Sequence, residues 1–139
     1  MQEFKLPKVF NWQTASDKLV KKYVADLYQT GTDAPVATEL FNTTGVAFTY
    51  EYLAVGVYAV SCSKPIFSGC GMGCPTGQNT QLDITNGFSY VSGTARGVIA
   101  FPVANDYIIV LSNDGGTDMD DIIGNFVQNA LEITIYPQS

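Results

Sequence analysis

The chain has 139 residues, of which 46% are hydrophobic and 14% charged, with a net charge of −6 and no histidine. This length and hydrophobic content fit one folded domain and argue against disorder. Histidine is the side chain that most often moves protons near neutral pH, so its absence argues against most hydrolytic and transition-metal sites. We therefore expect no catalysis and no cofactor, and the acidic balance argues against direct nucleic-acid binding.

Residues 1–20 are predicted to form an extended N-terminal arm, and residues 21–139 a separate body. Five of the seven basic residues lie in the first 22 positions, whereas the rest of the chain has two basic and eleven acidic residues. This asymmetry indicates an arm that docks on an acidic surface of its own body or of a neighbouring subunit. A solvated, tethering N-terminus is the alternative. The residues predicted to anchor the arm on a partner are Phe4, Leu6, Phe10 and Trp12.

The N-terminal sequence MQEFKLPKVFNW lacks the apolar core of a secretory signal peptide. No stretch of the chain approaches the roughly 20 apolar residues that span a bilayer. We therefore expect synthesis in the cytoplasm and no membrane partner.

The first half of the body alternates between apolar and polar residues with the period of a β-strand. From residue 22 onward, Tyr23, Ala25 and Leu27 share one side of a predicted strand. A connector follows at 29–35, where Gly31 and Pro35 favour a turn. Gly56 is predicted to mark a bulge or a tight reversal. Further strands are predicted at 36–42, 46–53 and 55–61.

The second half continues this pattern after a loop rich in cysteine and glycine. Asn86-Gly87 is a strong hairpin signal, so the predicted strands 80–85 and 88–91 are expected to pair. Strands at 95–103 and 106–112 are expected to join through a short hairpin turn at 104–105. Residues 113–121 form an acidic loop, 122–127 fit either a helical turn or a strand, and 131–137 form a last strand. The sequence therefore predicts an all-β fold, an antiparallel β-sandwich of jelly-roll-like or immunoglobulin-like type.

Two groups of residues are candidates for metal or redox sites. Cys62, Cys70 and Cys74 have a C-x7-C-x3-C spacing that matches no zinc ribbon, and no histidine completes a ligand set. Reduced thiols are expected in a protein made in the cytoplasm, with a Cys70–Cys74 or Cys62–Cys74 disulfide as the alternative. In the acidic loop, Asp114, Asp118 and Asp120 are weak candidates for calcium ligands. Their spacing is not that of an EF-hand, so a solvated turn without a metal is expected.

Residues 23–45 read YVADLYQTGTDAPVATELFNTTG, a pattern of the form Y-x-A-x-L-x-Q-x-G-T-x-A-P. This opening resembles that of small β-rich proteins encoded by phages and prophages of Bacteroidetes-type bacteria. The Gly56-Val57-Tyr58 turn and the terminal LEITIY sequence are also similar to that family. The resemblance implies a structural component of the virion, made in the host cytoplasm: a capsid decoration, head-fibre or tail-associated subunit. It supplies no catalytic residue.

We therefore expect a virion protein that acts through its shape and its contacts with other virion subunits. Its low charge favours a homo-oligomer, with a trimer preferred, because interface cores are depleted in charged residues. The alternative is a carbohydrate- or receptor-binding β-sandwich module. In this alternative, calcium bound in the 113–121 loop can assist ligand binding but is not required. The eight tyrosines of the chain would serve such a module if several of them faced outward.

Overall fold

The protein is an antiparallel β-sandwich, as the sequence predicted, in a computed structural model that describes residues 19–67, 80–91 and 93–136. Within these ranges the chain contains strands and turns but no helix. Most of the predicted arm lies outside the described residues. The strands are β1 Lys21–Tyr28, β2 Val36–Asn42, β3 Phe48–Ala54, β4 Val57–Cys62, β5 Thr80–Ile84, β6 Phe88–Val91, β7 Thr94–Ala104, β8 Tyr107–Asp114, β9 Thr117–Asp118 and β10 Asn129–Ile135.

The strands divide into two sheets. The four-stranded sheet has the order β2-β1-β10-β5, and the six-stranded sheet has the order β3-β4-β8-β7-β6, with β9 beside the end of β8. The first and last described strands pair directly, with Lys21 opposite Ile135 and Leu27 opposite Asn129. Strands that are distant in sequence therefore lie at the centre of the smaller sheet.

Alternation along the strands builds one core between the sheets. Tyr23, Ala25 and Leu27 of β1 are buried, as predicted, and so are Leu131 and Ile133 of the neighbouring β10. Burial of a large apolar side chain contributes about 1.5–3 kcal/mol. The inward side chains of the six-stranded sheet that meet them include Phe48, Tyr58, Val60, Val98, Ile108 and Val110.

Two sequence predictions of tight turns are confirmed. Gly56 lies at a positive φ of 69° in the reversal between β3 and β4. The register of that hairpin also shifts between Tyr52 and Ala54, so a bulge accompanies the reversal. The β7–β8 hairpin forms as expected, but its turn lies at residues 105–106, one residue later than predicted.

The predicted pairing of strands 80–85 and 88–91 is wrong. A turn does form at Asn86, whose φ is 53°. However, β5 pairs with β10 in one sheet and β6 pairs with β7 in the other. The turn is held by distant segments instead, because Asn86 Nδ2 donates to the Gln128 carbonyl and the Val98 N–H donates to the Gly87 carbonyl. The chain therefore crosses between the sheets at this point.

The segment from 113 to 127 also differs from its prediction. The acidic loop is partly a hairpin, in which β9 pairs with the end of β8 across the Gly115-Gly116 turn. Residues 122–127 form neither a helix nor a strand but irregular turns. Ile122 and Ile123 are nevertheless buried in the core, which explains their apolar character.

Replacement of Gly56 by alanine is expected to destabilise the protein more than replacement of Gly115. Both glycines have positive φ, which costs a residue with a Cβ about 1–2 kcal/mol. A Cβ on Gly56 would also lie 2.6 Å from the Met119 nitrogen, whereas a Cβ on Gly115 has nothing within 4 Å. Gly56→Ala should therefore lower the free energy of unfolding by at least about 1 kcal/mol more than Gly115→Ala. Urea unfolding of the two variants checks this, and equal losses would contradict it.

Candidate interaction surface

The middle of the outer face of the six-stranded sheet is apolar, and polar side chains such as Thr49, Ser61 and Asn113 lie near the ends of its strands. Because side chains alternate along a strand, the neighbours of the inward-facing residues point away from the core. Strand register places these outward residues side by side: Ile99 lies opposite Leu111, and Leu111 lies opposite Val57. We call this surface the apolar face; its exposed or partly buried members are Leu53, Val57, Phe88, Tyr90, Ile99, Phe101, Val103, Ile109 and Leu111.

Charge is confined to the margins of the apolar face. Among the residues described on this side, Glu51 on the edge strand β3 and Asp118 on β9 carry charge. The outer face of the four-stranded sheet is different. It carries charged residues on three strands, and Lys22 Nζ lies 3.9 Å from Glu132 Oε1 across the β1–β10 pair. The two outer faces are therefore chemically distinct. The apolar face has the composition of a partner-binding surface, whereas the outer face of the four-stranded sheet carries more charge.

Several side chains of the apolar face expose a large fraction of their surface. Phe88 is 69% exposed, Tyr90 70% and Ile99 51%. The Phe88 and Tyr90 rings contact each other edge to face, with centroids 5.4 Å apart. Contiguous apolar patches larger than a few hundred Å² are uncommon on monomers and mark sites of interaction.

A polar cluster centred on Asp120 fixes the end of the sandwich near the β3–β4 turn. The Asp120 carboxylate accepts hydrogen bonds from the Tyr52 hydroxyl, the Tyr58 hydroxyl and the Gly56 N–H, each at 2.8 Å. The Tyr58 hydroxyl also lies 2.9 Å from Gln29 Oε1, so its one proton is shared between two acceptors. These bonds tie the turn to the segment that follows β9.

Gln29 extends this cluster to the end of β1. Its side chain is fully buried, and its Nε2 donates to the carbonyls of Gly31 and Asp33. Its Oε1 accepts from the N–H of Asp121, 92 residues further along the chain. Both polar atoms of its side chain are thus engaged in hydrogen bonds.

The electrostatics of the cluster stabilise an ionised Asp120. Partial burial acts to raise the pKa of this carboxyl, but the hydrogen bonds from Gly56, Tyr58 and Tyr52 outweigh it and lower the pKa below its usual value. Burial and the hydrogen bond to Asp120 raise the pKa of Tyr58. The tyrosines therefore remain protonated donors to a carboxylate.

The predicted calcium candidates do not converge. Asp120 serves the cluster just described, Asp114 lies 3.9 Å from Arg96 Nε, and Asp118 is exposed on β9. The Arg96 guanidinium also stacks on the Phe126 ring at 3.9 Å. In the part of the chain that the structure describes, no three acidic or cysteine side chains are grouped to hold a metal ion.

The remaining predicted residues divide between the described and the undescribed parts of the chain. Cys62 is a buried free thiol, and burial together with nearby Asp106 raises its pKa to about 11. The free thiol of Cys62 argues against the Cys62–Cys74 disulfide, whereas Cys70 and Cys74 lie outside the described residues, so the Cys70–Cys74 disulfide stays a prediction. The arm residues Phe4, Leu6, Phe10 and Trp12 also lie outside them.

Comparison of this chain with family models, with curated proteins and with solved structures returned no match. Within the described ranges, no helix has the length and apolarity to cross a bilayer.

Stability at low pH is expected to depend on Asp120. Because its pKa is lower in the folded protein, the carboxylate contributes stability above its unfolded pKa of about 3.9, and this is lost as the pH falls through the folded value. Asp120→Asn should lower the free energy of unfolding at pH 7, and its difference from the parent should shrink as the pH falls through the folded pKa. Urea unfolding at pH 7 and at a series of lower pH values measures this. Asp118→Asn on exposed β9 is the control, and an equal effect of both variants would contradict the assignment.

Proposed function

We propose that this protein is a structural subunit of a bacteriophage virion that acts through protein contacts. Its role is that of a capsid decoration, head-fibre or tail-associated subunit, and it works as a homo-oligomer, with a trimer preferred. The apolar face is the surface that a neighbouring subunit covers. No chemical step belongs to this function.

The observation that carries the proposal is the apolar face itself. Its side chains are arranged on regular strands with acidic groups only at the margins, which is the arrangement of an interface with an apolar core and a polar rim. Exposure of Ile99 and Phe101 to water has a free-energy cost that burial against a partner would remove. The opposite outer face carries charged residues on three strands, including the Lys22–Glu132 ion pair, and is less suited to an apolar contact.

Two further features support a virion role. The sequence pattern from Tyr23 to Gly45 resembles that of phage-encoded β-rich proteins. The polar atoms of Gln29, Tyr58 and Asp120 are occupied by structural hydrogen bonds, which agrees with a protein that holds a shape. The partners proposed are copies of this chain and other virion subunits.

Charged substitutions on the apolar face should weaken self-association. Phe101→Asp and Leu53→Asp each place a carboxylate in the contact surface, where a buried unpaired charge is strongly unfavourable. We expect a dissociation constant at least about tenfold higher than that of the parent, measured by sedimentation equilibrium.

The matched controls are Val36→Asp and Phe41→Asp on β2. Both residues are exposed hydrophobics on the charged outer side of the other sheet. These variants should associate as the parent does. A parent that is monomeric at all concentrations, or controls that dissociate as much as the face variants, would refute the proposal.

A second candidate function is binding of a carbohydrate, favoured by one observation. The Phe88 and Tyr90 rings are both largely exposed on the short strand β6, and exposed aromatic rings can stack on sugars. Tyr90→Ala should then abolish a signal on a glycan array that the parent gives. A parent without any glycan signal would exclude this candidate.

A further inference from the structure

A groove of about 520 Å³ opens at the edge of the sandwich between β5 of one sheet and β7 of the other. Its volume is within the range of about 300–1,000 Å³ typical of ligand pockets. Asp83 is the one charged residue of its lining. The groove continues into the apolar face, because Phe88 and Ile99 belong to both. Its large apolar side chains are Leu82, Ile84, Phe88, Val98 and Ile99.

Among the described strands, the backbone along this groove is an open sheet edge. Strand β6 covers only the first part of β7, from Thr94 to Gly97, and none of the described strands pairs with the same side of β7 beyond Val98. The Val98 N–H points to that side, since it donates to the Gly87 carbonyl at 2.7 Å. Hydrogen-bonding direction alternates along an antiparallel strand, so the backbone groups of Ala100 face the open side too. Pro102, the next residue in this alternation, has no N–H and offers only its carbonyl.

An open edge beside an apolar groove is a binding site for an extended segment. Such a segment gains backbone hydrogen bonds along the edge, and its alternate side chains fill the groove. The chain itself contains a segment with this pattern. In an extended conformation Phe4, Leu6, Phe10 and Trp12 would share one side, because all four occupy even positions. Lys5 and Lys8 in the same segment complement Asp83 of the groove.

The geometry of the body favours a segment from a neighbouring copy. Lys21 pairs with Ile135, which pairs with Thr80, so β1 begins at the same end of the sandwich as β5. Thr80 Oγ1 donates to the Ile66 carbonyl, and the Ile66 N–H donates to Asn105 O next to the end of β7. The 18 residues before Leu19 span at most about 60 Å, which is ample to reach the groove of the same copy. From this end, however, a copy's own segment would run parallel to β7.

We propose that residues 4–12 of a neighbouring copy add to the open edge of β7 as an antiparallel strand and fill the groove with apolar side chains. Every described strand pair in this protein is antiparallel, and parallel pairing is slightly less stable per residue. A segment from another copy can approach the edge in the antiparallel direction, whereas a copy's own segment would first have to turn back. This proposal rests on the proposed oligomeric function, and it names the element that links the subunits.

Trp12 provides a direct probe, because it is the only tryptophan in the chain. In the full-length protein, Trp12 emission should be shifted to shorter wavelength and protected from acrylamide at high protein concentration. Both effects should be lost on dilution, and an excess of a synthetic peptide of residues 1–18 with Trp12→Phe should reverse them. A shift that does not depend on concentration would assign the groove to the copy's own segment and overturn the proposal. Solvent-exposed Trp12 at all concentrations would overturn it as well.

Two groove variants test the site. Ala100→Pro removes the N–H that faces the open edge and spares the pairing with β8, so it should abolish the shift of Trp12 emission. Phe88→Asp, on a side chain that is 69% exposed, gives the same test if Ala100→Pro does not fold. Leu40→Asp on β2 is the matched control and should retain the shift. Retention of the shift in folded Phe88→Asp would overturn the proposal.

The outcome separates this proposal from the proposed function. If Phe101→Asp dissociates the oligomer while Trp12 of the parent stays exposed, the apolar face is the interface and the segment proposal is wrong. If the parent does not associate at all, both fail.

Discussion

The pairing of β1 with β10 holds the four-stranded sheet together. Strand β2 joins this sheet only through β1, and β5 joins it only through β10. The same two strands supply Tyr23, Leu27, Leu131 and Ile133 to the core, so the ladder between them also positions the apolar layer on which the second sheet rests. Because these strands stand at opposite ends of the described chain, closing the pair has a large loop-entropy cost, and the fold is completed only when both are present.

A second constraint acts at one end of the sandwich, where polar rather than apolar groups are buried. Gln29 and Tyr58 are fully buried, yet each has hydrogen-bond partners, which removes most of the cost of taking them out of water. Asp120 lies at the edge of this cluster and accepts hydrogen bonds from Tyr52, Tyr58 and Gly56. This arrangement connects β1, the β3–β4 turn and the irregular segment that follows β9, and it adds polar contacts between the two sheets to those of the apolar core.

The sequence predicted the strands well where the information is local. The alternation of Tyr23, Ala25 and Leu27 directly encodes one buried face, and Gly56 marks a backbone conformation that favours glycine. The predicted β5–β6 pairing was wrong because Asn86-Gly87 specifies a turn but not which strands pair beside it. Here the turn is held by the hydrogen bond that Asn86 Nδ2 donates to the distant Gln128 carbonyl. The Gln29–Asp121 contact was missed for a similar reason, since nothing local joins residues 92 positions apart.

The apolar face escaped prediction for a different reason. Along β7 and β8, outward residues such as Ile99 and Ile109 alternate with inward residues that are equally apolar, such as Val98 and Ile108. A continuous apolar run of this kind is typical of a strand that is covered on both sides. It does not indicate which side of the sheet is left exposed. Only the arrangement of strands into two layers shows that one side of this sheet is packed and the other is open.

The position of β1 has a mechanical consequence. Any load carried by the residues before Leu19 enters the sheet at Lys21, on a strand flanked on both sides by β2 and β10. Interstrand hydrogen bonds lie perpendicular to the strands, so a pull along β1 shears both ladders at once instead of opening them one bond at a time. An attachment through the N-terminal segment would thus transmit force to the most strongly supported strand of the smaller sheet.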